Sequence, residues 1–425
     1  MGILFEMNIR EPKTLERSAT SKRVAKKKRL RHRVSFFLFL IVATLIYVSY
    51  SAYSRTLPVV AAQQVLHSIP AQSVSLSWPS KGEAAIGIQG QGVIATSGTQ
   101  YETPTASVAK MMDTLAILKK YPLSLGEQGP LITVTQQDAN LYNSYVAEDG
   151  SVVPVNVGEQ LTEYQALEAM LIPSANNVAD MMAIWAYGSM SSYHQAANKI
   201  AKSLGMDHTV FAGDASGFLP ATVSTPHDLV LLGQAALSNP VIRQIVDKRS
   251  AVLPIAGAVY NYNSLLGNSN FIGIKTGNSN QAGGCFLFAA TYQPSNNKQI
   301  TVIGAVMDAP NLSTAINDAT PLFDSFTQNI TQRQVLIAGQ VIAQYDVPWE
   351  GHVGASVQNS TSLWGWKGAP VHITVSTLPH LPIPAAVGTK IGSVTIKSNI
   401  DSKSVPLFLN RAVSSPSLAW RLTHK

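Results

Sequence analysis

T-A-S-V-A-K-M-M, residues 105–112, sets Ser107 and Lys110 three positions apart at the head of an apolar run. Val108, Met111, Met112, Leu115 and Leu118 recur at helical spacing, with Thr105 as N-cap and Pro122 as stop. A helix is therefore predicted over Val108 to Lys120. Serine and lysine at this spacing share one helix face, about one turn apart. A serine hydroxyl is a poor nucleophile until a neighbouring base takes its proton. A lysine held in a partly desolvated cleft beside a second cation can lose its own proton and become that base. The helix N-terminus adds N–H groups and a positive dipole end near the reacting oxygen. A second match to the pattern, Ser295-Asn-Asn-Lys298, falls in a polar hairpin turn with no helical or apolar support and is set aside.

Two more triplets follow. Ser174-Ala-Asn176 stands between two apolar helices, one opened by a Thr162/Gln165 capping box and broken at Pro173, the other carrying Val178, Met181, Met182 and Trp185. By themselves Ser174 and Asn176 read as a helix cap. In a site, the hydroxyl would relay a proton to a leaving group and the amide would orient Lys110. Lys275-Thr276-Gly277 ends the strand F-I-G-I, where glycine permits close backbone approach. There a cation and a hydroxyl could hold a carboxylate. The N–H of Asn278 could join that of Ser107 as an oxyanion hole. The specific signal is the order of the three triplets, with gaps of 67 and 101 residues.

The surroundings predict an α+β domain. Ala84 to Gly98 reads as a hairpin around Gln89-Gly-Gln-Gly92. Phe271–Thr276, Cys285–Tyr292 and Ile300–Met307 read as strands, and 313–331 as a closing helix. From about Arg333 short apolar runs alternate with Gly and Pro, a small all-β module, with a last helix over Pro416 to Leu422. The lone Cys285, in A-G-G-C-F-L-F-A-A, reads as a buried structural thiol.

The net charge of +7 is unevenly placed. Residues 1–33 hold 11 Lys/Arg and 3 Glu, while the remainder is close to neutral. Val34 to Tyr53 then carries no charge and is long enough to span a bilayer. The basic run before it and the single Arg55 after it predict a cytoplasmic N-terminus and an exported body, with Tyr47, Tyr50 and Tyr53 at the outer interface. A cleaved signal peptide is the competing reading. A basic tail abutting a span is not a nucleic-acid-binding tail. The expected division is a basic tail at 1–33, an anchor at 34–53, a linker at 54–80, a catalytic domain at 81–332 and a β-rich domain at 333–425.

With these residues in view, the chain resembles the serine-type D-Ala-D-Ala carboxypeptidases, the low-molecular-mass penicillin-binding class. The likeness extends beyond the triplets to G-E-Q-L-T-E-Y-Q-A-L-E-A-M-L-I-P-S-A-N-N, S-T-P-H-D-L at 224–229 and N-Y-N-S-L-L at 261–266. It implies a penicillin-binding/serine β-lactamase-like fold, an antiparallel sheet flanked by helices, with a β-rich C-terminal domain. It implies Ser107 as acylated nucleophile, Lys110 as base, and Ser174 and Asn176 lining the cleft. Lys275, Thr276 and Gly277 would bind the carboxylate end of the peptide. The implied reaction removes the terminal D-Ala of peptidoglycan stem peptides, with β-lactams as covalent inhibitors. No cofactor or metal is expected, because no His/Cys/Asp cluster has ligand spacing.

The chain departs from the family pattern at Ile272 and Asn177, where acidic residues are common, and at Ser279, where threonine is common. A serine β-lactamase would share the triplets, but the best-known class needs a downstream Glu, and none lies between Glu168 and Glu350. A non-catalytic wall-binding scaffold on the same fold rests only on Ile272 and Asn177.

Overall fold

Alternation along the strand Gly283–Ser295 sets the architecture. Cys285, Leu287 and Ala289 enter one apolar core, while Phe286, Phe288 and Ala290 enter a second on the opposite face. A strand buried on both faces needs cover on both, and helices supply it. The computed structural model describes residues 16–267, 270–295 and 297–424.

Five antiparallel strands form the central sheet, in the order Phe271–Ser279, Gly283–Ser295, Lys298–Ala309, Glu83–Ile88, Gly92–Ser97. The last two are the predicted hairpin. The helices are α1 (Glu16–Tyr53), α2 (Lys110–Lys120), α3 (Gln136–Ala147), α4 (Glu163–Leu171), α5 (Asn176–Tyr187), α6 (Met190–Ser203), α7 (Pro226–Leu237), α8 (Pro240–Val246), α9 (Leu312–Thr327) and α10 (Leu418–Thr423). α2 and α4 to α8 contribute to the larger core, and α9 covers the other face with Ala315, Ala319, Leu322 and Phe326. The capping box predicted at Thr162 and Gln165 opens α4. The closing helix ends at Thr327, because Ile330–Leu336 already runs as a strand beside Thr361–Trp366.

The C-terminal module is β-rich, with strands Val341–Val347, Gly351–Ser356, Ser402–Leu409, Lys390–Lys397 and Val371–Thr377 in one sheet. Its own core contains Leu336, Tyr345, Val353, Ile391 and Leu407. Both edges are completed by residues expected to be linker. Ala62–Gln64 pairs with Val341–Val347, and Ser68–Ile69 pairs with Val371–Thr377. Val74, Leu76 and Trp78 then pack on the core beneath α9. The linker expectation over 54–80 is corrected accordingly. Its Ser, Pro and Gln content hides an apolar series (Val60, Ala62, Leu66, Ile69, Val74, Leu76, Trp78) that packs on the two cores, while residues 62–64 and 68–69 close exposed sheet edges.

α1 begins before the apolar stretch and continues through the basic segment as one helix of 38 residues, about 57 Å long. Its apolar window has a mean hydropathy of 2.1 and no burial. Among the described residues it is the one single helix long and apolar enough to cross a membrane. Its C-terminal end packs against α10, where Arg421 donates to the carbonyls of Ala52 and Tyr53.

Candidate active site

The pattern of α2 was read from Val108, but the helix starts at Lys110. A 3₁₀ turn, Ala106–Ala109, carries Ser107. Thr105 does not cap it through its side chain, and its hydroxyl donates to the Ala106 carbonyl instead. Ala106 has φ +44°, a conformation that costs free energy outside glycine and recurs at functional sites. The tight turn leaves Ser107 half-buried at the cleft and Lys110 fully buried behind it.

Lys110 Nζ lies 2.8 Å from Ser107 Oγ, 2.8 Å from Asn176 Oδ1 and 3.2 Å from the Ser216 carbonyl oxygen. Burial lowers its pKa to about 7, against the opposing pull of Asp214, Asp180 and Asp113. Of the two causes expected from the sequence, a desolvated cleft and a neighbouring cation, desolvation is the dominant one, and the three carboxylates oppose it. Lys275 is also buried, and its pKa lies well below the usual value because of burial and then Lys110.

Ser174 closes the opposite side. It sits between α4 and α5 with φ +63°, is 4% exposed, and its Oγ has no partner among the described residues. Asn176 begins α5 with its N–H donated to Ser151 O at 2.7 Å. Asn177 is buried and grips Val153, accepting from its N–H and donating to its carbonyl, so this departure from the family pattern fastens a loop. Ile272, the other departure, is half-buried against the larger core.

The edge strand Phe271–Ser279 forms the third wall. A Cβ on Gly277 would stand 2.9 Å from Thr105 O and 3.1 Å from Ser107 N. Only glycine lets this strand come so near the turn that holds the serine. Lys275 Nζ lies behind the wall, 3.1 Å from the Thr276 carbonyl. The resulting cleft of ≈ 460 Å³ is bordered by Ser107, Ser174, Thr276, Gly277 and Asn278, together with Ser151 and Tyr262. The residues picked from three distant triplets thus converge, with Lys110, Asn176 and Lys275 beneath the surface that the others line.

Other members of the site were not singled out from the sequence. Ser216 contributes a backbone carbonyl, which no side-chain motif reports. Asp214 fixes that turn by accepting from Phe218 N and Leu219 N and from Ser216 Oγ. Asp180 accepts from Tyr145 Oη at 2.7 Å and from Ala215 N at 2.8 Å, joining α5 to the same turn. An Asp followed closely by Ser-Gly was the available signal, since such pairs favour turns. S-T-P-H-D-L has a structural part. Thr225 caps α7, and Asp228 accepts from Thr209 Oγ1 and His208 N. Cys285 is fully buried, its thiol pushed up to about 12. Among the described residues no cluster of metal-ligating side chains occurs.

Residues 78–311, more than half of the chain, match the family defined as D-alanyl-D-alanine carboxypeptidase, peptidase family S11. A D-alanyl-D-alanine carboxypeptidase of Streptomyces sp. strain K15 is 29% identical over 54% of this chain and 80% of its own length. A D-alanyl-D-alanine endopeptidase of Escherichia coli K12 is 28% identical over 62% of this chain and 82% of its own. The crystal structure of the Streptomyces K15 DD-transpeptidase superposes with a TM-score of 0.52 at 26% identity, over 59% of this chain and 98% of that one. Penicillin-binding protein 5 of Haemophilus influenzae shares the fold over 81% of this chain and all of its own, with a TM-score of 0.56 at 18% identity. The chain belongs to the D-alanyl-D-alanine carboxypeptidase family, the serine-type peptidases of the low-molecular-mass penicillin-binding class.

Proposed function

We propose that this protein removes the terminal D-Ala of peptidoglycan stem peptides through an acyl-enzyme on Ser107 and is inactivated by β-lactams at the same oxygen. The observation that carries this reading is a fully buried lysine amine 2.8 Å from a cleft serine hydroxyl. As a neutral amine, Lys110 has two N–H groups and one lone pair. Asn176 Oδ1 and the Ser216 carbonyl take the two N–H groups, which turns the lone pair toward Ser107. Ser107 Oγ gives its proton to that lone pair and attacks the carbonyl carbon of the penultimate D-Ala. The N–H groups of Ser107 and Asn278 would receive the developing oxyanion. The C–N bond breaks as the departing amine takes a proton from Ser174 Oγ, which is replenished from Lys110. Water then cleaves the ester by the same groups in reverse, returning Ser107 and freeing the shortened peptide.

Thr276 Oγ1 and the charge of Lys275 behind it would hold the peptide's terminal carboxylate. That anion would restore the proton that burial discourages on Lys275. Residues 81–332 form the catalytic unit in this reading, held outside the cytoplasmic membrane by α1 with residues 1–33 inside. Full-length protein should resist high-salt extraction from membranes, whereas soluble protein starting near residue 52 or 63 would mean a cleaved signal.

The test is release of D-Ala from a synthetic peptide ending in D-Ala-D-Ala, run beside covalent labelling with a fluorescent penicillin. Wild type should do both and Ser107→Ala neither. Labelling that survives in Ser107→Ala would sink the mechanism. Labelling without D-Ala release would leave a penicillin-reactive scaffold.

A further inference from the structure

We propose that the outer end of α1 and the C-terminal segment together form a site for the phosphate of an anionic phospholipid headgroup. This rests on the reading of α1 as a membrane span. The site is a cavity of ≈ 710 Å³ lined by Arg55, Leu57, Pro58, Trp420, Arg421 and His424, among others. It shares no lining residue with the cleft and lies where α10 meets the last turn of α1.

Arg421 is 8% exposed, and its Nε is buried without a partner among the described residues. Its Nη1 donates to the Tyr53 carbonyl at 3.0 Å and the Ala52 carbonyl at 3.5 Å, and its guanidinium lies 4.8 Å from the centre of the Tyr53 ring. Arg55 Nη1 donates to the Arg421 carbonyl at 3.4 Å. Among the described residues neither guanidinium has a carboxylate within ion-pair distance. A buried cation without a counterion is costly. The negative end of the α1 dipole offsets part of that cost. One bound anion would offset the rest.

The fork of arginine donors fits phosphate oxygens. Position selects a lipid as the source of the phosphate. The pair stands at the end of the span, beside the tyrosines that mark the interface. From Tyr53, whose ring Arg421 touches, an exposed apolar flank continues down α1 past Tyr50, Ser49, Ile46, Leu45 and Val42. A lipid with its phosphate at Arg55 and Arg421 would lay an acyl chain along that flank. Trp420 and His424 stack at 4.6 Å and 8°, a flat wall for the headgroup.

The test uses full-length protein in nanodiscs made from equal parts phosphatidylcholine and phosphatidylglycerol, followed by native mass spectrometry of the lipid retained in detergent. Wild type should retain phosphatidylglycerol over phosphatidylcholine by on the order of tenfold. Arg55→Gln with Arg421→Gln should bring the ratio near one. Arg421→Lys, which keeps the charge and loses the fork, should fall between. Arg421→Gln could also loosen α10, so Arg55→Gln alone, on an exposed side chain, serves as the second variant and should lower the ratio by about threefold. Equal retention of the two lipids by wild type, or an unchanged ratio in the double variant, would overturn the site. Loss of the preference on adding millimolar inorganic phosphate would reassign it to the free ion. Failure to insert into any nanodisc would remove the span and the site together, whereas lost selectivity with insertion intact removes the site alone.

Discussion

Two serine–lysine pairs with identical spacing occur in this chain, and their surroundings make them chemically different. Ser107 and Lys110 ride a 3₁₀ turn into α2, so the side chains meet within one turn and the amine is sealed behind the cleft. Ser295 and Lys298 face each other across a hairpin, and Lys298 forms an ion pair with Asp401 of the C-terminal module at 3.3 Å, with 23% of its side chain exposed. Lys298 is thus tied to a carboxylate at a partly exposed surface. Lys110 is fully buried among the neutral groups Ser107 Oγ, Asn176 Oδ1 and the Ser216 carbonyl, and burial lowers its pKa to about 7. Spacing proposes a base, and burial makes one.

The largest expected contrast is at the two lysines. Lys110→Met should slow acylation by a fluorescent penicillin by roughly 10²–10⁴-fold, the usual contribution of a positioned base. Lys298→Met should leave the rate unchanged, and a comparable loss there would erase the distinction. Next is the wall that presses on the first pair. Gly277→Ala would place a methyl 2.9 Å from a backbone oxygen that cannot swing aside. Strand and turn must separate, and a misplacement of about 1 Å can cost on the order of 10²-fold in acylation. A rate within twofold of wild type would show that the close approach is dispensable.

The third contrast is in pH. The reactive form of Lys110 is neutral and its pKa is lowered to about 7. Acylation by a penicillin should therefore rise about tenfold per pH unit below that value and level off above it. A flat profile between pH 5 and 8, with the protein still folded, would remove Lys110 as the base. The smallest effect belongs to the second pair. Asp401→Asn should lower stability in urea unfolding by no more than about 1 kcal/mol, because the ion pair is partly exposed.

Much of the cleft was legible because its parts announce themselves by residue type. Ser107, Lys110, Ser174, Asn176 and Lys275-Thr276-Gly277 are side chains or glycines with few other reasons to stand in that order. The hairpin at 84–98, the capping box at Thr162 and the strands around Cys285 were legible because periods of 2 and 3.6 survive in the sequence. Ser216 was not, since it acts through a carbonyl that any residue possesses. Asn177 read as a departure from an acidic pattern near the cleft, and its role became visible only with Val153 beside it. The strands at 62–64 and 68–69 were missed because each is two or three residues long and its partners lie more than 270 positions away.

By itself the sequence determined which groups could react, in what order they are carried, and that a charged tail precedes an apolar span. Those are properties of residue type and local period, which need no partner. Only the tertiary structure decided that Lys110 is buried enough to act as a base, that Ser174 Oγ is left without a partner among the described residues, and that the supposed linker closes the edges of a distant sheet. Desolvation and edge pairing depend on what the rest of the chain packs around a residue, and no window along the sequence contains that.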